Sequence, residues 1–297
     1  MVVSIIGCGG VGSRHLQAVT NTNKNFKIEC VDINPQSILL SKQRLKEIQN
    51  KRHVNFYNSI DKLSDTINIC IIATKADIRK DIIIELLNKK QVKYLIIEKV
   101  AFQKDSDFKE VIDLLKKHKI KCWVNCHLRA EPLYQKLTSK LNLITKTDMC
   151  YIYPKAFNLA TCLIHIVDLF CYITNNTEYK LDLSKLEKKI YNSRHEGCIE
   201  LKGIIKIINK QGHSLIACEG TNDVPHFHIV NKNHVYNVSE QGKEFKWQSE
   251  LSHLYIEDII KNESCCQLPT LEESYKIHKI MLQSLAKHLN LKKVNIT

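Results

Sequence analysis

The chain has 297 residues, 44% hydrophobic and 25% charged, with 44 Lys and Arg against 31 Asp and Glu for a formal net charge of +13. That supplies apolar residues for two cores, and no apolar stretch reaches the roughly 18 residues that a membrane span needs. The lysines crowd helix faces and tails, as in Lys116 to Lys121 and at Lys292 and Lys293, so the basic excess is read as solvated surface that attracts small anions, with no nucleic acid and no membrane as partner.

Twelve cysteines lie scattered through apolar segments such as Ile69-Cys70-Ile71 and Leu169-Phe170-Cys171, which favours free thiols in a reducing cytoplasm over a disulfide framework. Val2 to Ile6 reads as the first strand, entered directly from Met1 with no export signal expected. It runs into Gly-x-Gly-x-x-Gly at Gly7, Gly9 and Gly12, enclosing Cys8, Gly10 and Val11, and Asp32 closes the next apolar run. Strand, glycines, helix and acidic residue in that order form a dinucleotide fingerprint. Gly7 permits the turn, Gly9 lets backbone amides approach a pyrophosphate, and Gly12 lets the helix pack against the sheet with its positive end toward the phosphates. Asp32 would accept from the ribose hydroxyls and repel a ribose phosphate, which favours NAD and leaves NADP as the alternative.

Further strands are expected at Lys27 to Val31, Val54 to Tyr57, Ile67 to Ala73, Tyr94 to Ile97 and Lys121 to Asn125, with helices at Asp77 to Asn88 and Asp107 to His118. The alternation predicts a doubly wound parallel sheet, whose ligands lie at the carboxyl ends of the strands. Gly7, Asp32, Ala73, Thr74 and Glu98 fall at such ends.

After Asn125 the pattern changes to helices at Glu131 to Leu141 and Ala156 to Ile173, then strands at Ile199 to Ile208, Leu215 to Cys218, Phe227 to Val230 and His234 to Val238. Consecutive strands predict a mostly antiparallel, open sheet with one face free for a partner subunit. Two helices follow at Gln248 to Lys261 and Leu271 to Leu289. The expected organisation is an α/β cofactor domain over 1–126 and an α+β substrate and oligomerisation domain over 127–297, whose last helix is a candidate to pack back on the first domain.

Glu98-Lys99 stands just past the fifth strand, where a lysine can hydrogen-bond a substrate hydroxyl and ease its deprotonation. His165 and Asp168 share one face of the apolar helix. Taken alone, a surface lysine is the commoner reading of Lys99 and a satisfied core histidine that of His165. No metal is expected: Cys122, Cys126 and His127, or His226 and His228, lack the paired spacing of a zinc site.

Taken in order, the glycine motif followed by Ser13-Arg14-His15, Asp32, Ala73-Thr74, Ile97-Glu98-Lys99, Asn125-Cys-His-Leu-Arg129 with Pro132, and His165-x-x-Asp168-Leu169 resembles the family of glucose-fructose oxidoreductase and inositol dehydrogenase (Gfo/Idh/MocA). The resemblance covers nearly the whole chain; Leu268 to Ser274 is similar to the family's closing helix, and Trp123 to Arg129 and Asn158 to Phe170 look most like members from polysaccharide and nucleotide-sugar gene clusters. It implies an NAD(P)-dependent oxidoreductase with an N-terminal Rossmann domain, acting on a sugar or nucleotide-sugar carbinol or ketone as a homodimer or homotetramer through its C-terminal sheet. By position, Lys99 and His165 match the family's proposed acid-base residues; Arg129 and Asp168 match positions that line or support the substrate site. Glu98 and Lys99 border the cofactor. Where the family has proline this chain has Val100, where many members carry an aspartate it has Thr161, and Asn158 and Cys162 replace a glycine and an asparagine. These departures keep open a rival reading as a dinucleotide-binding regulator or scaffold without turnover; the resemblance itself leaves open a second, a reductase of a non-sugar substrate, since the family also includes a bilin reductase of similar length.

Overall fold

The computed structural model describes residues 1–49, 52–141, 146–154, 158–193, 197–241 and 245–296. In chain order the elements are β1 (Val2–Ile6), α1 (Gly12–Thr20), β2 (Lys27–Val31), α2 (Pro35–Glu47), β3 (Val54–Tyr57), β4 (Thr66–Ile72), α3 (Arg79–Lys89), β5 (Gln91–Ile97), α4 (Asp105–Lys117), β6 (Lys121–Val124) and α5 (Pro132–Thr138). They continue with β7 (Thr147–Pro154), α6 (Leu159–Thr174), β8 (Tyr179–Asp182), β9 (Tyr191–Asn192), β10 (Ile199–Glu200), β11 (Ile205–Asn209), β12 (Ser214–Gly220), β13 (His226–Asn231), β14 (His234–Ser239), α7 (Gln248–Lys261) and α8 (Leu271–Leu289). Two compact units result: Met1–Ala130 with Lys246–Glu272, and Glu131–Phe245 with Glu273–Thr297.

The first unit is built on a six-stranded parallel sheet in the order β3-β2-β1-β4-β5-β6. This is the doubly wound Rossmann order, with its switch point between β1 and β4, where the crevice opens at the strands' carboxyl ends. The apolar runs of β1, β4 and β5 are buried at Ile5, Ile71 and Ile96, as parallel strands covered on both faces require. One core cluster joins Val3, Ile28 and Ile69 of the sheet to Leu16 and Val19 of α1 and to Leu251, Tyr255, Ile256 and Ile259 of α7. The apolar stripe of α7 repeats at helical spacing, and it brings a segment from the last fifth of the chain into this unit. The last helix, α8, belongs to the second unit.

The second unit holds a six-stranded mixed sheet in the order β14-β13-β7-β12-β11-β8. Its pairs are antiparallel except β7 with β12. Three expectations are corrected here. The single strand expected over Ile199 to Ile208 is two, β10 and β11, parted by Gly203 at φ +127, where an added Cβ would press on the backbone of Lys185 and Leu186. The central strand β7 was not foreseen, although Thr147, Met149, Tyr151 and Tyr153 are buried and alternate with more exposed neighbours. The helix expected from Ala156 to Ile173 runs from Leu159 to Thr174, and Ala156 lies outside the described residues. Inward residues such as Met149, Leu215, Ile207 and Phe227 are buried, whereas Ile216, Val230 and Val235 remain exposed.

Candidate functional site

The glycine loop sits where the sequence motif placed it. Gly7 has φ +94, and a Cβ there would lie 2.9 Å from the carbonyl carbon of Ala73. A Cβ on Gly12 would fall on the carbonyl oxygen of Gly7, so α1 can approach the sheet only without one. Gly10, by contrast, faces open space, and a Cβ on Gly9 would meet only Ser37 Oγ at 4.0 Å.

Three of the loop's carbonyls accept from side chains. Ser41 Oγ donates to Cys8 O at 3.0 Å, Ser13 Oγ to Gly9 O at 2.6 Å, and Arg44 to Gly10 O. Asp32 supports the loop through its own carboxylate: Oδ2 accepts from Cys8 N at 2.7 Å while Oδ1 accepts from Asn34 N at 2.8 Å. Among the described residues nothing accepts from the amides of Gly9, Gly10 and Val11. The helix behind them has no acidic residue in its first turn and no side-chain cap. Unclaimed amides at the positive end of a helix form an anion site.

Against the loop, just past β4, stand Ala73 and Thr74. The Thr74 hydroxyl is buried without a partner among the described residues, a polar atom for which a ligand would supply the missing hydrogen bond. These residues fit a dinucleotide: loop amides for the diphosphate, Asp32 for the ribose and Thr74 beside them. Arg79 of α3, which no sequence motif singles out, is buried and ties this strand end to the next. It donates to Thr74 O, to Val100 O at 2.5 Å and to Ala101 O at 2.7 Å. Burial pulls its guanidinium down to about 10, which leaves it charged at neutral pH.

Glu98 and Lys99 follow β5, and the Lys99–Val100 peptide is cis. The Glu98 carboxylate, expected at the cofactor, is directed into the unit: it accepts from His15 Nε2 at 2.9 Å and from Asn125 Nδ2. Burial pushes its pKa up, but the His15 hydrogen bond and charge, the Lys99 charge and the Asn125 amide bring it down to about 2. Glu98 is therefore an anion throughout the neutral range, beside Lys99. His127, in the turn after β6, is pushed down to about 4 chiefly by burial, so its ring is neutral at pH 7. Arg129 is buried two residues further on.

In the second unit His165 is 8% exposed and Asp168 is buried, both on α6, where 14 of the 16 residues are buried. Thr161, one turn before His165, donates through Oγ1 to Glu200 Oε2 at 3.3 Å, and Ala160 N donates to Glu200 Oε1 at 2.5 Å. The buried Glu200 thus places a carboxylate at the start of α6 from another strand. Sequence reasoning missed it because nothing local links β10 to α6. Lys99 and Arg129 belong to the first unit, His165 and Asp168 to the second. Among the described residues no group of three His, Cys, Asp or Glu side chains is arranged to hold a metal ion, and no helix is long and apolar enough to cross a membrane.

Residues 1–126 match the family model GFO_IDH_MocA, described as an oxidoreductase family with an NAD-binding Rossmann fold. Comparison with curated proteins gives no match. Among solved structures, a dehydrogenase from Clostridium difficile is 15% identical, with 98% of this chain and 99% of that one covered at a TM-score of 0.70. The myo-inositol dehydrogenase of Lactobacillus casei, solved with NAD(H) and myo-inositol, is 14% identical over 100% and 97% of the two chains at 0.68. An oxidoreductase from Agrobacterium radiobacter, solved with NAD+, L-tartaric acid and magnesium, is 14% identical over 99% and 98% at 0.72. At these identities the likeness is one of fold.

Proposed function

We propose that the chain, whose residues 1–126 match the family model of the Gfo/Idh/MocA oxidoreductases with their NAD-binding Rossmann fold, is a dehydrogenase or reductase of a sugar or nucleotide sugar in polysaccharide or nucleotide-sugar metabolism. The observation that carries the reading is the glycine loop, whose carbonyls are held by Ser13, Ser41 and Arg44 while the amides of Gly9, Gly10 and Val11 stay unclaimed among the described residues, in the unit whose strand β5 leads to Lys99. Bound NAD would accept or return the hydride of a carbinol carbon. The chain's residues do the rest: Gly9, Gly10 and Val11 bind the diphosphate, Asp32 takes the ribose and disfavours NADP, and Lys99 with His165 moves the hydroxyl proton. Arg129 and Asp168 orient the substrate. The exposed apolar residues Ile216, Val230 and Val235 support assembly into a homodimer or homotetramer through the second sheet. The twelve cysteines are scattered through apolar segments and do not follow the spacing of a disulfide framework, which supports a reducing, cytoplasmic setting.

Purified protein titrated with NADH and assayed for NAD reduction on a panel of polyols, sugars and nucleotide sugars tests the reading. Lys99→Met and His165→Ala are each expected to abolish turnover while NADH still binds. Tight NADH binding with no hydride exchange across the panel would instead support a regulator, and absent NADH binding would remove the oxidoreductase reading.

A further inference from the structure

Four segments far apart in the sequence meet in one buried polar chain inside the first unit. His15 of α1 lies between Glu98 Oε1, 2.9 Å from Nε2, and Ser252 Oγ of α7, 2.7 Å from Nδ1. Because Glu98 is ionised and can only accept, Nε2–H is the donor. Gln248 Nε2 donates to Ser252 Oγ and to Tyr255 OH, each at 2.9 Å, and Gln248 Oε1 accepts from Asn125 Nδ2 at 2.8 Å. Asn125 also donates to Glu98, which closes the network into a ring through α1, β5, β6 and α7.

Serine, histidine and carboxylate in hydrogen-bond order are also the arrangement of a nucleophilic hydrolase. Here Ser252 and His15 are both 0% exposed, and Ser252 Oγ already receives Gln248, so no acyl group can reach it. A second use fits the burial. An apolar set of the same shape would hold α7 against α1 at least as well; what polar partners add is register, because each must sit within hydrogen-bond distance of the next. The register matters at Glu98: Oε1 takes His15 and Asn125, while Oε2 accepts from the backbone amide of Lys99 at 3.3 Å.

We propose that His15 and Ser252 are positioning residues of the redox site: acting through Glu98, they hold the backbone of Lys99 in fixed register with the glycine loop at the start of α1, so that α7 sets the spacing between the diphosphate-binding and proton-handling parts of this unit. The role assigned to Lys99 rests on the oxidoreductase reading; the mechanical link does not.

Two readouts on the full chain test the proposal: NADH affinity by fluorescence titration, and backbone hydrogen exchange over 9–13 and 98–101. Ser252→Ala is expected to weaken NADH binding about tenfold and to speed exchange in both segments at a temperature where circular dichroism shows a folded protein, with Ser252→Thr restoring both. Tyr255→Phe, which keeps the packing, is expected to move both in the same direction by less and serves should Ser252→Ala not fold. Ile259→Ala, an apolar truncation on the same helix, is expected to lower Tm with NADH affinity within twofold of wild type. Unchanged affinity and exchange in Ser252→Ala, or an equal loss in Ile259→Ala, would overturn the positioning role. Wild-type protein that binds no NADH removes the oxidoreductase reading, and the exchange comparison still decides the mechanical link.

Discussion

Two helices begin beside the residues that matter, and their N-termini are treated in opposite ways. At α1 the first turn carries no acid and the loop amides are unclaimed, while Ser13, Ser41 and Arg44 occupy the carbonyls behind them. At α6 the positive end is already filled from within, since Glu200 accepts from Ala160 N, Thr161 Oγ1 and its neighbour Leu201 N. The same backbone dipole is thus left uncapped in one unit and serves an internal carboxylate in the other. A helix N-terminus is a ligand site only where the chain declines to cap it.

The largest expected effect comes from closing the open end. Gly12→Ala sets a methyl group on the Gly7 carbonyl; overpacking of that kind costs up to about 3 kcal/mol. If the loop shifts to relieve it, NADH affinity falls by roughly 100-fold, read by titration; an alanine variant that binds normally would break the comparison at α1. Opening the closed end has a smaller effect. Glu200→Ala strands the buried Ala160 amide, a loss of about 1–3 kcal/mol that thermal unfolding measures, with faster exchange over the first turn of α6. An unchanged Tm would show that the α6 end gains nothing from its carboxylate.

Two buried carboxylates sharpen the contrast between the units. Glu98, facing His15 and Lys99, is held at about 2, whereas burial pushes Glu240 up to about 6, against the lowering effect of the hydroxyls of Tyr134 and Tyr151 that donate to it at 2.5 and 2.6 Å. Burial is common to both; at Glu98 the His15 hydrogen bond, joined by the neighbouring charges and the Asn125 amide, outweighs it. Glu240 binds its proton more tightly folded than unfolded. Its contribution is therefore complete below the ordinary value of 4.5 and lost as pH rises through about 6, a fall of roughly 2 kcal/mol in unfolding free energy. Glu240→Gln should flatten that window in denaturant titrations at stepped pH; an unchanged slope would mean that Glu240 titrates normally.

Much of this was legible before the fold. The glycine loop is local: the steric demand at Gly7 and Gly12 and the position of Asp32 are written within one strand–helix–strand unit, and α7 and α8 carry stripes long enough to bound them. β7 escaped because its buried alternate positions include Thr147 beside Met149, Tyr151 and Tyr153, a weaker apolar signal than a run of isoleucines. At Ile199 to Ile208, apolar residues continue through Gly203, where the backbone turns, so composition alone suggested one strand.

By itself, then, the sequence determined what depends on neighbours a few residues apart: the alternation of strand and helix, the anion-binding turn, and the order of Gly7, Asp32, Lys99 and His165 along the chain. Tertiary structure alone decided where the carboxylates point. Glu98 turns to His15, His15 to Ser252 across 237 residues of chain, and Glu200 to the start of α6. The physical reason is that periodicity and glycine geometry are local properties of the backbone, whereas a buried polar atom takes whichever partner the packed fold brings within 3 Å.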